Sequence, residues 1–269
     1  MELVAHKSEI KRVPTYIENF DRHIEGGIPE GFVSLVAGTS GTMKSSVVFN
    51  VMYNEVVQKN KSGVYITLEQ SSISLLNHVI SMGYDLSQVR VITISDIAKI
   101  DENIDKIKRT AEKGTLIFAD VGAIRKELRE LKNINPDADW LNVLKNIISK
   151  LKDAGVCDLF ALDSMSALYS LSTFKEPRTK LFYMYEYLRD LGITSYLISE
   201  MPLDESRYGE YDVEDFLADA ILHVSMKREG MKVKRELNVA KLRATKASMD
   251  IFVLDFSKGR FRALTKLVG

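Results

Sequence analysis

Between Phe32 and Ile198 the chain alternates short, continuously apolar runs with longer stretches of helical periodicity. The runs are Phe32–Ala37, Val64–Leu68, Val89–Ile94, Thr115–Ala119, Leu159–Leu162 and Ile193–Ile198. Helical patterns fall over Lys44–Lys59, Ser72–Met82, Asp101–Lys113, Asp137–Asp153 and Pro177–Leu191. A strand apolar on both faces must be covered on both faces, and strands separated by helices return in the same direction. The pattern predicts an α/β fold with a mostly parallel central sheet and helices on both sides. After about Leu217 the rhythm changes. Ala220–Met226, Arg235–Leu242 and Asp250–Phe256 are strand-like pieces joined by short charged or glycine-containing turns, which read as an antiparallel C-terminal extension of the same sheet. Residues 1–12 read as a tail and 13–269 as one domain, without linker or internal repeat.

Composition narrows the function classes. Hydrophobic residues make up 45% of the 269, enough for a sizeable core. Lys plus Arg number 37 against 37 Asp plus Glu, so attraction to nucleic acid or an anionic membrane by bulk positive charge is not the default. The single cysteine, Cys157, forbids an internal disulfide and suits a reducing compartment. No apolar run approaches a membrane span, and the first residues lack the layout of a signal peptide, so a cytoplasmic protein is expected.

The strongest local signal is Gly38-Thr39-Ser40-Gly41-Thr42-Met43-Lys44-Ser45, placed directly after the first apolar run and opening a helix. In that context backbone N–H groups converge on phosphate oxygens and the helix N-terminus adds partial positive charge. Lys44 would neutralise β- and γ-phosphate charge, and the Ser45 hydroxyl would ligate Mg²⁺. The standard phosphate-loop pattern has glycine before the lysine; Met43 stands there, which keeps the N–H but demands room for a Cβ. The alternative is a glycine-rich turn capping an ordinary helix.

Two carboxylates follow apolar runs. Asp163 ends Leu159-Phe160-Ala161-Leu162-Asp163-Ser164 and would hold the Mg²⁺ water shell, or serve as a turn or helix cap. Glu69, in Thr67-Leu68-Glu69-Gln70, is expected at the carboxyl edge beside the phosphate-loop strand, where it would orient or deprotonate a water. A helix cap for the segment from Ser71 or Ser72 is the other reading.

With Gly38–Ser45, Glu69 and Asp163 in this order, the chain resembles the KaiC-like branch of the RecA superfamily of ATPases over about Val13 to Leu264. Asn19-Phe20-Asp21 and Gly26-Gly27-Ile28-Pro29-Glu30-Gly31 are similar to that family's approach to its phosphate loop. Leu68-Glu69 resembles its catalytic-glutamate strand, Asp163-Ser164 its Walker B element, and Val213–Asp219 a segment before the late strands. Lys241-Leu242-Arg243-Ala244-Thr245 resembles its Lys-x-Arg motif.

The resemblance implies a RecA-like P-loop NTPase fold and ATP or ADP held by Gly38, Thr39, Ser40, Gly41, Thr42, Met43, Lys44, Ser45 and Ser46. It implies Mg²⁺ on Ser45 with Asp163 nearby, Glu69 as base, and Ser199 as a sensor of phosphate state. Lys241 and Arg243 would reach the nucleotide of a neighbouring subunit in a homo-oligomeric, hexameric ring that acts on an unidentified protein partner. Gln70 stands where the family commonly has a second glutamate, which points to slow hydrolysis, and Ala247 where some relatives have histidine. A recombination-mediator-like DNA-binding ATPase, a non-catalytic nucleotide-binding regulator and a Ser/Thr autokinase are the alternatives.

Nucleic acid is not favoured. Lys227–Lys246 holds eight basic residues against Glu229 and Glu236, but without aromatic interleaving. The four histidines show no metal-ligand spacing, and Cys157 reads as buried and inert.

Overall fold

The computed structural model describes residues 10–96, 99–109, 114–124, 140–171 and 176–265. The strands are β1 (Arg12–Val13), β2 (Ile28–Pro29), β3 (Val33–Gly38), β4 (Ser62–Thr67), β5 (Arg90–Ile94), β6 (Thr115–Asp120), β7 (Leu159–Asp163), β8 (Thr194–Glu200), β9 (Ala220–Glu229), β10 (Lys232–Leu242), β11 (Phe252–Ser257) and β12 (Arg260–Thr265). The helices are α1 (Lys44–Lys59), α2 (Ser72–Ser81), α3 (Ile100–Arg109), α4 (Trp140–Asp153), α5 (Met165–Leu171), α6 (Pro177–Asp190) and α7 (Glu214–Leu217). The expected ends of two helices, residues 110–113 and 137–139, lie outside the described residues.

Ten strands form one sheet in the order β12-β11-β10-β9-β3-β8-β7-β4-β6-β5. From β9 to β5 every pairing is parallel; β10, β11 and β12 continue the sheet antiparallel. β9 therefore closes the parallel series, parallel to β3, and opens the antiparallel extension expected of it. β1 and β2 make a separate antiparallel pair, Arg12 opposite Pro29.

Strand alternation sorts side chains into two cores. Val36, Tyr65, Phe118, Tyr196 and Leu222 face α1, α2 and the segment from Val13 to Ile28. Leu35, Ile66, Ile117, Leu162 and Leu197 face α3, α4, α5 and α6. The charged α3 is not wholly a solvent-facing helix, because Ile100, Ile104 and Ile107, spaced three and four apart, are buried in the second core. Both faces being covered explains why the parallel strands read as unbroken apolar runs. It also leaves the carboxyl ends of β3, β4, β7 and β8 as the edge where loops can build a site.

Candidate nucleotide site

β3 ends at Gly38 and α1 begins at Lys44, so the glycine-rich segment is the turn between a central strand and its helix. Gly38 is required by packing: a Cβ there would penetrate the carbonyl oxygen of Val224 on β9. Gly41 has φ +79°, which glycine adopts without steric cost. Thr42 Oγ1 donates to the Thr39 carbonyl at 2.9 Å and Lys44 Nζ donates to the same oxygen at 2.8 Å, which closes the turn from inside.

Met43 is the exception. It is the N-cap of α1 with φ 76° and ψ 26°, the left-handed region, and offers no side-chain cap. Here the structure gives the physical reason that the usual pattern places glycine before the lysine. An L-residue in this conformation costs roughly 1–2 kcal/mol. Met43 is half-buried against the core that holds α1, which supplies part of the compensation.

A cavity of about 460 Å³ opens at this turn, lined by Ser40 through Ser46, Glu69, Gln70, His78, Asp163, Ser164, Ile198, Glu200 and Arg235. The loop, Glu69 and Asp163, far apart in sequence, are thus brought to one place. Asp163 ends β7, is buried, and accepts a 2.7 Å hydrogen bond from Tyr65 Oη. Burial raises its pKa, opposed by hydrogen bonds from Tyr65 and Ser45 and by the charge of Lys44, while Glu69 raises it further. Burial likewise lowers the pKa of Lys44, opposed by Glu200, Asp163 and Glu69.

Glu69 reaches the cavity differently from the expected arrangement. β4 is not beside β3, since β8 and β7 stand between them, and Glu69 lies two residues past the strand. Its Oε1 accepts from the Ser164 hydroxyl. The helix-cap reading of Glu69 does not apply, because Ser71 is the N-cap of α2, accepting from the Ser74 amide at 3.2 Å. Ser199 is also placed otherwise. Strand alternation turns it away from the cavity, fully buried, while its neighbours Ile198 and Glu200 line it.

Three charged or imidazole lining residues were not anticipated. Glu200 ends β8 opposite Gly38, and its Oε2 lies 3.9 Å from Lys44 Nζ. Arg235 on β10 approaches the Gly41 carbonyl at 3.4 Å. His78 Nε2 on α2 lies 3.2 Å from Ser46 Oγ. A strand ending in Glu at the same edge as Asp163 was a readable sign of Glu200; His78 and Arg235 arrive by tertiary packing and left none. Met43 and Arg235 also line a second cavity of about 480 Å³ over β10 and β11, bordered by Val253, Phe256 and Leu264.

Lys241 and Arg243 are not in this cavity. Lys241 Nζ donates to the carbonyls of Asp215 (2.8 Å) and Phe216 (3.1 Å) at α7. Arg243 pairs with Asp219 at 2.9 Å, a carboxylate that also holds Arg189 at 2.9 Å. Cys157 is buried, and burial pushes its thiol up to about 12. Among the described residues no group of three or more His, Cys, Asp or Glu side chains could hold a metal by itself, and no helix is long and apolar enough to cross a membrane.

Comparison with known proteins finds relatives along most of the chain. The family model described as "ATPase: KaiC" matches residues 13–261. The circadian clock oscillator protein KaiC of Thermostichus vulcanus is 26% identical over 242 residues, 88% of this chain and 41% of that protein. A UPF0273 protein of Sulfurisphaera tokodaii is 28% identical over 241 residues, covering 90% of this chain and 78% of the relative. The chain thus spans about two-fifths of the length of the clock relatives. Among solved structures, a KaiC-like protein from Pyrococcus horikoshii superposes with a TM-score of 0.70 at 22% identity, covering 95% of this chain and 99% of that one.

Proposed function

Because the chain belongs to the KaiC family of ATPases, we propose that it binds magnesium ATP in the cavity around Lys44 and hydrolyses it slowly, within a hexameric ring of identical subunits that signals to a protein partner. The observation that supports this most is the meeting of the phosphate-loop turn, Asp163 and Glu69 in one cavity, from three separate strand ends.

The loop amides and the N-terminus of α1 would hold the phosphates, and Lys44 would exchange the Thr39 carbonyl for phosphate oxygens. Three carboxylates, Glu69, Asp163 and Glu200, face the cavity against Lys44 and Arg235. A triphosphate added to that balance calls for a divalent cation. Ser45 and Asp163, which both line the cavity, offer the hard oxygen donors Mg²⁺ takes alongside phosphates and water, so the residues fit the ion. Bound there, Mg²⁺ would neutralise charge between the β- and γ-phosphates. Glu69 would orient the attacking water and accept its proton. Gln70 in the same cavity is an amide and cannot share that task, which supports slow turnover. Lys241 and Arg243 would serve the γ-phosphate of the neighbouring subunit.

Equilibrium binding of magnesium ATP tests the site. Binding by the native chain and a large loss in Lys44→Ala are expected; equal affinity in the two would refute the assignment. Gln70 also favours a second reading, a module that holds nucleotide and reports its occupancy without cleaving it. Release of phosphate in a single turnover would exclude that reading.

A further inference from the structure

We infer that His78 is a ligand of the bound nucleotide at the α-phosphate end of the site, setting affinity for nucleoside di- and triphosphates alike. The inference rests on the nucleotide reading above. α2 buries Leu75 and Val79 against the core, and His78 stands beside that stripe, with its ring turned across to the first turn of α1. There its Nε2 lies 3.2 Å from Ser46 Oγ, and both residues line the cavity. Ser46 is nearly inaccessible, whereas His78 is exposed to the cavity mouth. The imidazole therefore covers the buried hydroxyl and still presents an edge to whatever enters.

Position along the cavity assigns the phosphate. Lys44 Nζ lies 3.9 Å from Glu200 Oε2, and a phosphate-loop lysine reaches the β- and γ-phosphates, which marks that end as theirs and the cation's. His78 meets α1 at Ser46, two residues past Lys44, where the remaining phosphate, the one nearest the nucleoside, would lie. A neutral imidazole has one donor and one acceptor nitrogen, so it can bond Ser46 through one and a phosphate or ribose oxygen through the other. A contact of this kind does not distinguish ATP from ADP.

The test is equilibrium binding of magnesium ATP and of ADP to the full chain, with Lys44→Ala as the control for the site itself. In His78→Ala both dissociation constants should rise by the same factor, about three- to tenfold for a lost hydrogen bond, with unchanged melting temperature in the absence of nucleotide. His78→Gln, which keeps a donor and an acceptor, should recover most of the loss. Unaltered affinity in His78→Ala, alongside the expected loss in Lys44→Ala, overturns the inference and leaves the nucleotide site standing. A loss confined to ATP overturns it too, because the contact would then be to the γ-phosphate. Absence of binding in the native chain would overturn the site as a whole.

Discussion

Tyr65 Oη donates a 2.7 Å hydrogen bond to Asp163 Oδ2 across the adjacent strands β4 and β7, wholly inside the protein. The tyrosine keeps its proton, since burial and the neighbouring carboxylate push its pKa far up. It is a fixed donor that favours the ionised form of Asp163 against the burial that disfavours it.

That balance predicts a pH dependence. Asp163 has a raised pKa in the folded protein, so it takes up a proton at a pH where an ordinary carboxylate is still ionised. Magnesium-dependent nucleotide binding should therefore fade on acidification earlier than a solvent-exposed aspartate would allow. In Tyr65→Phe the fade should begin at still higher pH. Fold stability runs the other way for this residue: the native state holds the extra proton, so Asp163 contributes less stability as pH rises through the window between the ordinary and raised values. Isothermal titration of magnesium ATP from pH 4.5 to 8 measures the shift; superimposable profiles for native and Tyr65→Phe proteins would dispose of the argument.

Met43 makes a second prediction, from its φ of 76°. Met43→Gly removes the left-handed cost of roughly 1–2 kcal/mol but adds glycine's unfolded-state entropy of about 0.5–1 kcal/mol and forfeits core packing. The stability change should be within about 1 kcal/mol of zero, and nucleotide binding should persist. Met43→Val is the informative contrast, because a β-branched residue tolerates this conformation least. It should be destabilised relative to Met43→Gly and bind nucleotide weakly. Urea unfolding and nucleotide titration of both variants decide the matter; a Met43→Val protein as stable and as tight as the native chain would show that the turn has another conformation.

Gly38 should be intolerant of any side chain. A methyl group there overlaps the Val224 carbonyl, so Gly38→Ala must push β3 from β9 at the point where the phosphate turn starts. Overpacking of this kind costs about 1–3 kcal/mol. A drop of that size in the unfolding free energy measured in urea, with loss of nucleotide binding, is expected; a Gly38→Ala protein as stable as the native chain would show that the two strands can part there without cost.

Much of this architecture was readable from local pattern. α1 occupies Lys44–Lys59 as expected, because the glycine-rich turn and the apolar face bound it on both sides. β12 escaped notice although Phe261 and Ala263 are buried between exposed or half-exposed Arg260, Arg262 and Leu264; two arginines in six residues mask an alternation of period two. α5 follows β7 after one residue and spans only seven, too short for helical periodicity to declare itself. At the site, the loop and the two carboxylates were legible because strand ends announce them. Sheet order was not: no local signal says that β8 enters beside β3, which brings Glu200 to Lys44 and turns Ser199 inward.

Lys241 and Arg243 yield the last prediction. Both are tied to the segment from Asp215 to Asp219 of their own chain, and neither lines their own cavity. Burial and the nearby Arg243 lower the pKa of Lys241, so the pair is held with its charges close together. A neighbouring triphosphate would relieve that repulsion and could outcompete the Asp219 carboxylate for Arg243. If the proposed ring shares its nucleotides, Arg243→Ala and Glu69→Gln subunits should each hydrolyse ATP poorly alone. Mixed and reassembled, they should regain activity at interfaces where an intact Glu69 meets an intact Arg243, about a quarter of sites under random closed assembly. A mixture no more active than the mean of its two components would mean that Arg243 serves its own chain, as the clamp on Asp219 seen here.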